Sequence, residues 1–87
     1  MKLSLARDVT LTSVDTGAVL LDGRRGRYWQ LNQSGSAILR RLLDGESPAA
    51  TAASLSAAAP VSEAQARQDV RALVESLSAA NLVEVSQ

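Results

Sequence analysis

The side chains this chain could bring to acid–base or covalent chemistry include arginines, carboxylates and serines, and it contains neither histidine nor cysteine. Imidazole-based triads, thiolate nucleophiles, the usual zinc ligand sets and disulfides are excluded. No spacing joins a nucleophile to a base and no glycine-rich phosphate loop is present, so no enzymatic activity, cofactor or metal is expected. Recognition is what these residues offer. Arg27-Tyr28-Trp29-Gln30-Leu31 contains the chain's single Tyr and single Trp. Arg67, Val70, Arg71 and Val74 recur at helical spacing and set two cations beside two valines, a pattern suited to a peptide with acidic and apolar side chains. The commoner fate of such helix charges is a solvated face.

These residues need a strand and a helix to hold them. Val9 to Val14 alternates apolar with hydroxyl residues and meets the turn signal Asp15-Thr16-Gly17, Ala18 to Asp22 is a second strand, and Gly23-Arg24-Arg25-Gly26 turns the chain into a third, Arg27 to Leu31. A three-stranded antiparallel meander follows. Asn32 or Ser34 caps a helix to about Asp44 with Ile38, Leu39, Leu42 and Leu43 on one stripe and Gly45 as its stop. Ser47-Pro48 opens an Ala-rich second helix that ends near Pro60. Ser62-Glu63-Ala64-Gln65 reads as a capping box for a third helix to about Ala79, its core stripe being Ala66, Val70, Leu73 and Leu77. Leu82 to Val85 forms either a short terminal strand or an apolar tail. The fold class expected is α+β, a winged helix-turn-helix-like arrangement of a three-stranded antiparallel sheet followed by three helices, in a single domain spanning residues 1–87.

Eighty-seven residues suffice for one modest core and are too few for a two-lobed enclosed active site. Net charge is zero, yet residues 1–43 carry seven Lys/Arg against three Asp, and residues 44–87 carry two Arg against six Asp/Glu. Such a balance suits a partner with some acidic residues better than nucleic acid. A winged-helix DNA-binding protein shares the architecture, but its recognition helix would carry an excess of donors, whereas here Glu63, Asp69 and Glu75 offset Arg67 and Arg71. No apolar run is long enough to span a membrane, and residues 1–6 lack the core of a signal peptide, so a cytoplasmic location and no membrane partner are expected.

Trp29 and Leu31 share one face of the third strand, and Tyr28 and Gln30 share the other. The reading favoured for Trp29 in a chain without phenylalanine is a core filler, with a place at a cleft mouth as the alternative. Tyr28 is the wetter of the two aromatics. Arg24 and Arg25 read as turn residues, with contact to a partner enzyme as the lesser option.

Val19-Leu20-Leu21-Asp22, Arg27-Tyr28-Trp29-Gln30-Leu31-Asn32, Leu42-Leu43-Asp44-Gly45 and the close at Asn81-Leu82-Val83 resemble the PqqD-like family, and more narrowly the standalone RiPP recognition elements of lasso peptide biosynthesis. That resemblance implies a non-catalytic protein that takes the leader of a ribosomally made precursor as an added strand beside the third strand, in the cleft with the third helix. It also implies two further partners, a leader peptidase and a macrolactam-forming cyclase; another branch of the family serves a radical SAM enzyme. The leader-binding residues expected are Arg27, Tyr28, Trp29, Gln30, Leu31, Arg67, Val70, Arg71 and Val74, with the Arg67/Val74 flank of the helix turned to the strand. A monomer or weak dimer is expected.

Overall fold

Period-two alternation sets the strands and caps set the helices. The computed structural model describes residues 2–86. Its strands are Lys2–Leu5 (β1), Val9–Val14 (β2), Gly17–Asp22 (β3) and Arg27–Asn32 (β4), followed by helices Gln33–Leu43 (α1), Pro48–Ala58 (α2) and Glu63–Ala79 (α3) and a last strand, Val83–Ser86 (β5). The α+β order is the one expected, with an antiparallel three-stranded sheet in the order β2-β3-β4 ahead of three helices. The domain span 1–87 includes Met1 and Gln87, which lie outside the described residues.

Strand register decides what is buried. Leu20 pairs with Leu11 on one side and Trp29 on the other, and Ala18 pairs with Leu31, so these side chains share the face turned to the helices. Leu20, Ala18 and Leu31 are buried there. On the opposite face Thr10, Leu21 and Tyr28 align and stay exposed. Gly17 has φ +147°, and a Cβ at that position would collide with the Leu31 carbonyl oxygen, so only glycine lets β3 run this close to the end of β4.

Each helix starts on a side-chain cap. The Gly35 N–H donates to Asn32 Oδ1 at 2.8 Å, the Ala50 N–H to Ser47 Oγ at 3.1 Å and the Gln65 N–H to Ser62 Oγ at 3.1 Å. α1 lays Ile38, Leu39 and Leu42 into the core. At its end the Glu46 N–H donates to the Arg41 carbonyl at 3.0 Å and the Gly45 N–H to that of Leu42 at 3.1 Å, the paired bonds that satisfy a helix C-terminus. α2 packs against α3 and buries only Thr51 and Ala52, so its small side chains give close approach and little area. α3 buries Ala66, Val70 and Leu77, while Leu73 is half-buried against the same core. Each large core side chain contributes about 1.5–3 kcal/mol relative to exposure.

The start of the chain departs from expectation. β1 was not anticipated: four residues with Leu3 as the one well-buried apolar side chain carry too short an alternation to stand out. It forms because β5, the terminal strand rather than a loose tail, supplies its partner in a separate two-stranded antiparallel sheet, with Leu3 opposite Val85 and Leu5 opposite Val83. The chain's own last strand is thereby spent on β1 and not on β4. No helix among the described residues is long and apolar enough to cross a membrane.

Candidate functional site

The site begins at the β3–β4 turn. Asp22, 1 % exposed, accepts the N–H of Arg24 at 3.1 Å and of Arg25 at 3.4 Å through Oδ1, and the Gly26 N–H donates to the Asp22 carbonyl at 2.9 Å. Gly26 closes the turn at φ +65°, in the left-handed region. The Arg25 guanidinium lies 3.8 Å from Asp22 Oδ2 and donates to the Ala80 carbonyl at 3.5 Å, tying the hairpin to the C-terminal end of α3. That end is itself fixed. Asn81 takes φ +61° and the Leu82 N–H donates to the Leu77 carbonyl at 2.9 Å, so α3 stops beside the turn.

Between hairpin and helix runs a groove. One half is lined by Arg25, Arg27 and Trp29 on the sheet side and by Ser76, Ala79, Ala80 and Asn81 on the helix side. A second depression, which shares Ser76 with the first, lies between Asp69, Ala72 and Leu73 of α3 and Asn32, Ser34, Gly35 and Ile38 at the β4–α1 junction, and we treat the two as one groove. The six residues of β4 span about 20 Å at strand rise, and Asp69 to Ala80 covers about 16 Å at helical rise, so strand and helix wall the groove over similar lengths. β4 has β3 on one side and, among the described residues, no strand on the other. Its outer N–H and C=O groups are therefore free to pair with an extended chain.

A family model described as coenzyme PQQ synthesis protein D (PqqD) matches residues 17–83. The chain belongs to the PqqD family. The matched stretch carries β3, β4 and all three helices, hence both walls of the groove. Among solved structures, lasso peptide synthetase B1 complexed with the leader peptide is 40 % identical, with a TM-score of 0.93 over 98 % of this chain and 100 % of that one. TbiB1 in complex with the TbiA(beta) leader peptide is 26 % identical, with a TM-score of 0.85 over 100 % of this chain and 99 % of the other. No curated protein matches the chain significantly.

Within this PqqD-family fold the expected residues divide into two sets. Arg27 and Trp29 line the groove, and Leu31 lies beneath β4 at 8 % exposure. Trp29, 39 % exposed, is at the groove mouth and not in the core: as an edge-strand residue opposite Leu20, it has its far side open because α3 stands off from β4. Tyr28, 68 % exposed, points to the opposite face of the sheet with Gln30. The helix side needs correction. Arg67, Val70, Arg71 and Val74 do not face β4; they line a separate depression with Pro48 and Ala49 of α2, and Val70 is 2 % exposed within the core.

The physical reason lies in neighbouring elements. At about 100° per residue, Arg67 and Val74 stand on one flank of the core stripe and Asp69, Ser76 and Ala80 on the other. α2 packs on the first flank, which leaves the second for the sheet edge. The residues that sequence reasoning missed are thus Ala72, Ser76, Ala79 and Ala80. Their signal was smallness, a run of short side chains at i, i+4, i+7 and i+8 that leaves room for another chain.

Proposed function

We propose that this protein binds the leader segment of a ribosomally synthesised precursor of the lasso peptide type and presents it to the pathway's leader peptidase and macrolactam-forming cyclase. The leader enters the groove extended, adds to the free edge of β4 as a further strand, and rests its side chains against Trp29 and the small-residue flank of α3. The observation that carries this reading is the vacant β4 edge facing a groove of strand length. Two structures with the same fold, each complexed with a leader peptide, support it, and the 40 % identical one is a lasso peptide synthetase B1.

Energetics show what the leader must bring. Four ladder hydrogen bonds at a net of about 1 kcal/mol each only meet the low end of the roughly 4–15 kcal/mol cost of association. Two apolar leader side chains buried at about 1.5–3 kcal/mol each supply the surplus. The role is to hold and present, consistent with a chain that has no imidazole or thiol. A DNA-binding role is not favoured, since Arg67 on α3 is held at 3.0 Å by Glu63.

Trp29 is the chain's one tryptophan, so titration with the leader carried by the 40 %-identical synthetase B1 can be followed by its own emission. Saturable binding with a blue shift is the expected result. Saturable binding with unchanged emission would move the site away from β4, and absence of binding would remove the leader-binding role.

A further inference from the structure

The groove is electrically polar along its length, and this bears on which leaders it takes. Arg25 and Arg27 stand at the end beside the β3–β4 turn, and Asp69 stands at the other. Local partners modify both ends. Arg25 is occupied by Asp22 and by the Ala80 carbonyl, where it also meets the partial negative charge of the α3 C-terminus. Arg27 is exposed and, among the described residues, has no ion-pair partner. Its full positive charge is therefore what the groove presents at that end.

Asp69 Oδ1 accepts only the neutral Gln65 amide, at 3.0 Å, and, among the described residues, has no ion-pair partner. The nearby α1 N-terminus, worth about half a positive charge, attenuates the charge of Asp69 without reversing it. About 16 Å of helix separates Asp69 from Ala80, more than the Debye length of about 8–10 Å at moderate ionic strength. Each end is therefore read locally. The chain's net charge of zero gives no long-range preference that could override this.

Building on the leader-binding reading above, we propose that the groove selects the charge direction of its leader: an acidic side chain beside Arg27, and a basic or neutral one beside Asp69. Arg27 is then a specificity residue, and the affinity of a leader depends on where its charges sit rather than on their sum.

The test uses the leader peptide bound by lasso peptide synthetase B1, made in two forms of identical composition. One carries Glu-Glu before and Lys-Lys after the groove-binding segment; the other has these exchanged. Fluorescence anisotropy at low salt should show one form binding about three- to tenfold more tightly than the other, since each exposed pair is worth up to about fivefold. High salt should erase the difference. Arg27→Glu should remove or invert it.

Equal affinities for the two forms, or a preference that survives unchanged in Arg27→Glu, would overturn the inference and leave leader binding intact. Failure of the unmodified leader to bind would instead overturn the leader-binding reading, and this inference with it.

Discussion

Ser76 lines both halves of the groove, and a small side chain there keeps the passage continuous. Replacing it with Phe adds bulk where an incoming strand would pass, yet Ser76 is exposed and the new ring displaces nothing in the core. Ser76→Phe should therefore weaken leader binding at least tenfold, measured by calorimetry, with the melting temperature changed by no more than a few degrees. The matching control is Arg67→Glu with Arg71→Glu, on the opposite flank beside α2. That pair should leave leader affinity within about twofold, because both positions lie on the flank away from the groove; its cost falls on stability, through loss of the exposed ion pair with Glu63 and new like-charge pairs at i,i+4 spacing along Glu63 to Glu75, at about 0.2–0.5 kcal/mol each. A reversed ranking, with the arginine pair mattering more than Ser76, would place the site in the α2–α3 depression.

At the scale of elements, β4 and the end of α3 make different demands on stability. Leu31 anchors β4 to the core, and its truncation to Ala should cost about 2–5 kcal/mol in denaturant unfolding, as core truncations do. Asn81 holds a left-handed backbone that is costly for Ala by about 1–2 kcal/mol but free for Gly. Asn81→Ala should accordingly lower stability by about that amount and Asn81→Gly by much less; equal losses would show that the side chain, not the backbone, matters.

The elements themselves were largely legible. Caps at Asn32, Ser47 and Ser62 and stops at Gly45 and Asn81 are local signals, and local signals place helix ends. Two things were not local. The wheel of α3 identifies its core stripe but not which neighbour lies along each flank, so it points Arg67 and Val74 to the sheet side when they lie beside α2. Trp29 carried the same ambiguity, because whether an edge-strand aromatic is covered depends on how far the facing helix stands away. β1 carries no local signal of its own, since its pairing partner lies about eighty residues along the chain.

For the molecule as a whole, the pairing of β1 with β5 bears on the open edge of β4. β5 follows directly after the turn at Asn81 that ends the groove wall. Pairing with β1 holds β5 in a different sheet from β4. The consequence is measurable by hydrogen exchange. In an edge strand alternate N–H groups point to the neighbour and the others point outward. In the free protein the outward set of β4 should exchange fast and the inward set slowly. Adding leader should slow the outward set with a period of two residues, leave α2 unchanged, and leave the β1–β5 amides as protected as before. Protection of β4 without that alternation would mean that the peptide lies in the groove through side chains alone. Loss of protection in β5 on binding would mean that the terminal strand yields its place to the leader, so that the edge is exchanged rather than vacant.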